Sequence, residues 1–254
     1  MPLLPLRAIV IAEGGYIFPS LAERYCIDDI KQAADVLHTW IRKGLVQKIS
    51  KMCNEQITLK QIRYYDCYSY DDSQTSEGER NKEKMQTNTK RDLFINKFKM
   101  LPIVNFLPGR LIINGLKPAR RLDSFKTIQD GKSVFVLTEN DVINNFQQKE
   151  VDTLITMDVI RIANERLADI IIFITDDSDF TPLFKEVRSL GITVVLHSFH
   201  EKRNSTGALL ENSDYCLRLE ANELPLKQRD TKSSRSEARD KRLAASETEI
   251  DARP

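Results

Sequence analysis

The stretch that decides the fold is Ile170-Ile-Ile-Phe-Ile-Thr-Asp-Asp-Ser-Asp-Phe180, which passes from an unbroken apolar run into three carboxylates. Five apolar residues without alternation are typical of a strand that is buried on both faces of a parallel sheet. The carboxylates follow where this strand ends and a helix begins. Because open α/β sheets bind ligands at the carboxyl ends of their strands, the stretch predicts a site at that edge.

The segments on either side of this strand predict the same class of fold. Residues 151–168 and 180–190 show helical spacing of apolar residues, and the second pattern has a proline in its first turn and ends at Gly191. Residues 192–196 form the next apolar strand. The order helix, strand, helix, strand predicts an α/β fold with a central, mostly parallel sheet flanked by helices.

Periodicity predicts the remaining elements less sharply. In chain order they are a strand at 7–11 that ends in a tight turn at Gly14-Gly15, a helix at 28–46, a strand at 61–70, a helix at 92–101, strands at 109–116 and 133–137, a helical turn at 208–210 and an edge strand at 215–219. We predict one domain over residues 1–221, with a basic insert at about 71–132, and a charged, disordered tail over 222–254.

The distribution of charge is more informative than its sum. The 254 residues contain 38 Lys and Arg against 37 Asp and Glu, a net charge of +1. Residues 80–132, however, hold 13 basic and 4 acidic residues, whereas residues 133–221 hold 8 basic and 15 acidic. A basic segment of this kind predicts contact with a phosphate backbone, and an acidic one predicts either a solvated surface or a cation site.

Several classes of protein are excluded by composition. The longest apolar run, at 170–174, is far shorter than the roughly 20 residues that a membrane span needs. Two prolines and Glu13 in the N-terminal stretch argue against a signal peptide. The four cysteines show no CxxC spacing, which is typical of reduced thiols. We therefore expect a cytoplasmic protein without a membrane partner.

Three carboxylates, Asp176, Asp177 and Asp179, crowd the end of the apolar strand. Neighbouring carboxylates raise one another's pKa unless a cation neutralises them, and Mg²⁺ or Mn²⁺ prefers such oxygen ligands. Aspartate is also an ordinary helix N-cap, so a structural interpretation competes with the metal site.

Other acids belong to the same predicted edge of the sheet. Asp152 lies at the start of the preceding helix, and Glu13 follows the first strand. Asp158 is six residues beyond Asp152, roughly 240° around the helix, so the two cannot face one site unless the site wraps the helix.

Together these motifs resemble the NYN branch of the PIN-like nuclease superfamily, the LabA-like proteins. The resemblance covers about residues 7–220, and it is most specific over 149–196. The matching segments are Glu-Gly-Gly-Tyr at 13–16, Lys-Glu-Val-Asp at 149–152 with Leu154 and Asp158, Thr-Asp-Asp-Ser-Asp-Phe-Thr-Pro-Leu at 175–183, Arg188 before Gly191, and the segment 208–214 with Asp214.

The sequence departs from the family pattern at three places. Glu13 stands where the family has Asp, or Ala12 does if the register slips by one residue, and this alanine is either native or an inactivating substitution. Thr175-Asp176 replaces Ser-Gly, and Glu150 replaces the glycine that follows the lysine.

The resemblance implies a three-layer PIN-like fold and a metal-dependent endoribonuclease, with a role as a toxin or defence effector. By that resemblance, Mg²⁺ or Mn²⁺ is held by Glu13, Asp152, Asp177 and Asp179, while Asp158 and Asp176 orient waters or a second ion. The expected contacts to an RNA substrate are Arg110, Lys117, Arg120, Arg121 and Lys149.

The departures from the family pattern favour an alternative to the enzyme. This is a catalytically impaired PIN-like module that binds RNA or a protein partner. A DNA nuclease of related fold is a third interpretation. Pairing into a homodimer, for example through the helix at 28–46, also stays open.

Overall fold

The computed structural model describes residues 4–68, 82–118, 126–129, 132–135, 142–199, 207–220 and 222–229. The strands are β1 (Leu6–Glu13), β2 (Ile57–Asp66), β3 (Val104–Pro108), β4 (Arg110–Pro118), β5 (Lys126–Gln129), β6 (Lys132–Phe135), β7 (Val142–Lys149), β8 (Ile170–Ile174), β9 (Thr193–Ser198) and β10 (Tyr215–Arg218). The α-helices are α1 (Gly14–Arg24), α2 (Ile30–Thr39), α3 (Val46–Cys53), α4 (Lys82–Phe98), α5 (Val151–Asn164), α6 (Thr181–Ser189) and α7 (Gly207–Glu211).

Six strands form a central sheet in the order β10-β9-β8-β1-β2-β3, and every neighbouring pair is parallel. Strand β8 lies in the middle with all five residues buried, as its unbroken apolar sequence predicts. From β1 the chain first adds β2 and β3 on one side, and it then crosses to add β8, β9 and β10 on the other side of β1. This is a switch point of the kind at which open α/β sheets bind ligands.

Two apolar clusters cover the two faces of the sheet and make a three-layer structure. The first contains Val10 and Ile172 with residues of α1 to α4, and the second contains Ile11 and Phe173 with residues of α5 and α6. Because successive strand residues alternate between faces, β1 and β8 supply both clusters. The predicted α/β class with a central parallel sheet flanked by helices is confirmed.

Several predicted elements change in the structure. The turn expected at Gly14-Gly15 is the first turn of α1, and a Cβ on Gly14 would clash with the Asp66 carboxylate. The helix predicted at 28–46 continues through a π-helical turn, Trp40–Leu45, into α3. Its apolar residues Ile30, Ala33 and Leu37 are buried in the protein's own core.

The predicted strands at 109–116 and 133–137 do not enter the central sheet. Strand β4 pairs with β7 and β5 pairs with β6, in two separate antiparallel ribbons. The central sheet is instead completed by β3, a short strand that periodicity did not indicate.

The packed chain continues past residue 221, where we predicted the domain to end. Leu224 is only 2% exposed within the first apolar cluster, and the backbone of residues 227–229 is hydrogen-bonded to that of Arg24 and Cys26. Residues 230–254 of the predicted tail, and residues 71–81 of the predicted basic insert, lie outside the described residues. No helix in the described ranges is long and apolar enough to cross a membrane.

Candidate functional site

Glu13 and Thr175 meet at the carboxyl edge of the sheet. The register that pairs Ala12 with Ile174 brings the next two residues side by side. The Thr175 hydroxyl, which is 2% exposed, donates to Glu13 Oε2 and accepts a hydrogen bond from the Asp177 amide at 3.1 Å. Thr175 therefore fixes the Glu13 carboxylate to the loop that carries the aspartates, a role that the sequence did not reveal.

Ala12 has a different environment from Glu13. It is fully buried in the apolar cluster on the opposite face of the sheet, beside Val10. The acid at the end of β1 is therefore Glu13, and an acid at position 12 would lie among apolar side chains.

The acids of this edge influence one another. Burial raises the pKa of Glu13 to about 7; the Thr175 hydrogen bond opposes this rise, and the charges of Asp177, Asp152 and Asp176 add to it. Burial also raises the pKa of Asp152, and the charges of Asp177 and Asp179 add to this shift. The structure thus brings five of the six predicted acids within electrostatic reach of one another.

Helix termini position the aspartates. Asp152 lies in the first turn of α5, where the helix dipole favours a negative side chain. Asp177 caps the 3₁₀ turn Ser178–Phe180 by accepting from the Asp179 amide at 2.9 Å. The sequence offered a helix N-cap as the alternative to a metal site. Asp177 does form such a cap, and the cap uses one of its two carboxylate oxygens.

A polar cavity of about 360 Å³ opens beside Glu13, between α1 and the loop after β8. Its lining is formed by Glu13, Gly15, Tyr16, Pro19, Ser20, Glu23, Asp176, Asp177 and Ser178. Four of these residues are acids, and no described lysine or arginine is part of the lining. The cavity therefore favours a cation over an anion.

The chemistry of the donors fits Mg²⁺ or Mn²⁺ better than their arrangement does. All donors are carboxylate or hydroxyl oxygens, the type that these cations prefer. Yet no group of three or more His, Cys, Asp or Glu side chains in the described part of the chain is close enough to hold a metal ion. The carboxylates would have to draw together around a cation.

Asp158 is held apart from this group. It accepts hydrogen bonds from Arg63, Tyr65 and, at 2.8 Å, Arg161, and it is 8% exposed. Burial works against its ionisation, but the hydrogen bonds from Arg63 and Tyr65 hold the pKa of Asp158 below its ordinary value. Its oxygens therefore serve to tie α5 to β2.

A second buried acid, Asp66, ends β2 and was not indicated by the sequence. It is fully buried and accepts from the Tyr64 hydroxyl at 2.7 Å, from the Cys67 amide at 2.7 Å and from the Arg91 guanidinium. No pattern in the sequence distinguishes this aspartate from an exposed one.

Three of the five predicted RNA contacts belong to the β4–β7 ribbon. Arg110 and Lys149 are register partners at its root, and Lys117 pairs with Ile143 further along. The exposed Arg110 guanidinium lies 3.6 Å from the Glu150 carboxylate. Arg120 and Arg121 lie outside the described residues.

One comparison with known proteins finds a family match over part of the chain. The fold and site define an α/β protein with an acid-rich edge at the switch point of a parallel sheet. Residues 110–220 match the family model of the NYN domain. This domain belongs to the PIN-like nuclease superfamily. The matched range includes Asp152, Asp177 and Asp179, whereas Glu13 lies before it.

Two solved structures are similar at low identity. A Vibrio parahaemolyticus protein of unknown function gives a TM-score of 0.41 at 12% identity, covering 87% of this chain and 96% of that one. MurG of Acinetobacter baumannii gives a TM-score of 0.34 at 10% identity, covering 88% of this chain and 46% of that one. No curated protein matches the chain.

Proposed function

We propose that this protein is a metal-dependent endoribonuclease in which Glu13, Asp152, Asp177 and Asp179 hold Mg²⁺ or Mn²⁺. The observation that carries the proposal is the convergence of acids at the ends of β1 and β8 and at the start of α5, where burial and neighbouring acids raise the pKa of Glu13 and of Asp152. Such perturbed carboxylates in a cleft are typical of functional sites. The NYN domain match over residues 110–220 supports a nuclease.

Each residue of the site has its own proposed role in hydrolysis. A bound divalent cation supplies an activated water and neutralises charge on the phosphoryl oxygens. Glu13 must release its proton to act as a ligand, since ligating carboxylates are ionised. Thr175 orients Glu13, and Asp176, which lines the cavity, is proposed to orient water. Asp158 contributes through the position of α5.

Cleavage of total RNA in Mn²⁺, Mg²⁺ or EDTA tests the proposal. We expect cleavage with metal, and a loss of at least about a hundredfold in Asp177→Asn and Asp179→Asn. Glu186→Gln is the matched control, because Glu186 is an exposed carboxylate further along α6. Equal cleavage by all variants, or none by the wild type in any metal, contradicts the enzyme.

The impaired module is the second candidate, and two observations favour it. The described carboxylates form no ready metal cluster, and the longer Glu13 stands where the family pattern has Asp. Manganese binding followed by electron paramagnetic resonance separates the candidates. The enzyme requires binding that is lost in Asp177→Asn, whereas the impaired module binds RNA without binding manganese.

The cellular role is part of the same proposal. We place the action in the cytoplasm, since the four cysteines are free, and suggest a toxin or defence effector. Induced expression should arrest growth and degrade cellular RNA, whereas the Asp177→Asn variant should do neither. If the wild type and Asp177→Asn both arrest growth, the toxicity does not depend on RNA cleavage.

A further inference from the structure

The β4–β7 ribbon leaves the central sheet at the edge that carries the acids. Strand β3 ends at Pro108 beside Asp66, and β4 begins two residues later. Strand β7 ends at Lys149, three residues before Asp152. The ribbon is therefore rooted next to the candidate site, and its eight or nine residues per strand reach about 25–30 Å from it.

No described strand extends the ribbon on either side. The two strands pair with each other and with no other strand in the described ranges. A two-stranded ribbon is only marginally stable alone in water.

The pairing register sorts the ribbon into two different faces, because directly opposed residues in an antiparallel pair share a face. Arg110 opposes Lys149, Ile112 opposes Gln147 and Lys117 opposes Ile143. The first face, named the basic face, therefore contains Arg110, Ile112, Lys117, Ile143, Asn145, Gln147 and Lys149. The second, named the apolar face, contains Leu111, Ile113, Leu116, Pro118, Val142, Asn144, Phe146 and Gln148.

All three charges of the ribbon thus fall on one face. Neither strand contains Asp or Glu, nor do the neighbouring strands β5 and β6. Lysine and arginine neutralise phosphates, and asparagine and glutamine hydrogen-bond to base edges. The basic face has both kinds of residue, next to a site whose own charge is negative.

From this placement we infer that the basic face of the ribbon is the track that binds RNA and delivers it to the acids, with Lys117 and Lys149 contacting phosphates and Asn145 and Gln147 contacting bases. The inference rests on the proposed function for what happens to the RNA after binding. It assigns the attraction of the substrate to the ribbon, because the lining of the cavity at Glu13 contains four acids and no described lysine or arginine.

The two faces offer a matched test on the full-length chain. Asn145→Ala/Gln147→Ala alters the basic face, and Asn144→Ala/Gln148→Ala removes the same two residue types from the same strand on the other face. The probe is a labelled single-stranded RNA of about 20 nucleotides, bound in EDTA and followed by fluorescence anisotropy. We expect roughly tenfold weaker binding for the first variant and little change for the second.

The charges are tested separately with Lys117→Ala/Lys149→Ala. Loss of two phosphate contacts should reduce the slope of log affinity against log salt by about 1.4. Each variant is first compared with the wild type by circular dichroism and thermal melting. Equal effects of the two amide variants, or an unchanged salt slope, overturn the inference.

Failure of the inference and failure of the proposed function give different results. If the wild type binds RNA through the basic face but never cleaves it, the ribbon assignment stands and the nuclease proposal fails. If the basic-face variants bind and cleave as the wild type does, the nuclease stands and the ribbon assignment fails. A ribbon that binds an acidic protein instead gives this second result.

Discussion

Glu13 and Asp158 are both largely enclosed acids near the same end of the sheet, yet the charged side chains around them have opposite sign. Asp158 is bound by two arginines and a tyrosine, which hold its pKa below the ordinary value. Glu13 has a threonine hydroxyl and several other acids, and its pKa rises to about 7. Burial acts alike on both, so the partners decide which acid is structural and which is free for chemistry.

Removing the buried cation from Asp158 should have the largest effect on stability. Arg63→Met leaves a buried carboxylate without its main counter-charge, so the free energy of unfolding should fall by about 3–5 kcal/mol. Arg161→Met removes a largely exposed partner of the same carboxylate and should cost less than about 1 kcal/mol. Urea denaturation measures both, and equal losses would contradict the assignment of the pair.

Glu13→Gln should stabilise the metal-free protein, in a manner that depends on pH. The folded pKa of about 7 lies above the ordinary 4.5, so the contribution of Glu13 to stability is fully present below 4.5 and is lost as the pH rises through 7. The glutamine variant lacks this loss, so it should be more stable by about 2–3 kcal/mol at pH 8. Near pH 4.5 the two should unfold alike.

Denaturation in EDTA at these two pH values checks the prediction for Glu13. A difference between the proteins that stays constant with pH would mean that ionisation of Glu13 is not the cause. If Glu13→Gln is less stable than the wild type at pH 8, then ionised Glu13 stabilises the fold as Asp158 does, and the contrast between the two acids is wrong.

Thr175→Val should have a smaller effect, because it removes one hydroxyl from the shared position between Glu13 and Asp177. We expect a loss of about 1–2 kcal/mol in the free energy of unfolding and at least tenfold weaker manganese binding. Thr175→Ser keeps the hydroxyl and should retain most of the manganese affinity. Equal manganese affinity in the valine and serine variants would remove Thr175 from the site.

Glu150→Gly should give the smallest effect, and it should be stabilising. Glu150 precedes α5 with a φ of 75°, a left-handed conformation that favours glycine, so the change should add about 1 kcal/mol. Glu186→Gly, inside α6, should instead cost about 1 kcal/mol. Thermal melting of both variants measures these opposite signs, and destabilisation by Glu150→Gly would show that its side chain matters more than its backbone.

The sequence predicted the centre of this molecule better than its margins. The apolar run of β8 and the helix–strand alternation around it suffice for a parallel sheet, because both depend on local pattern. Helix α1 was not predicted, since Gly14 and Gly15 indicate a turn and Pro19 lies inside the helix. Strand β3 was missed because a short edge strand with a proline has little periodicity.

The acids of the site were predictable because they follow strand ends, but their separate roles were not. The angular offset from Asp152 did indicate that Asp158 would not face the same site. That Arg63 and Tyr65 bind Asp158 depends on contacts between β2 and α5, about a hundred residues apart in the chain. Thr175 carries no signal in sequence, since a hydroxyl after an apolar strand is ordinary.

The return of the C-terminal segment has a practical consequence for where the chain can be shortened. Residues 227–229 run against the end of α1, and the Arg24 guanidinium on that helix donates to the carbonyls of Phe199 and Leu219. Helix α1 also lines the acidic cavity. A chain cut at residue 221 therefore loses both the hydrogen bonds of residues 227–229 at the end of α1 and the buried Leu224. An affinity tag or fusion partner is therefore better joined beyond Arg229 than at the domain end that composition suggests.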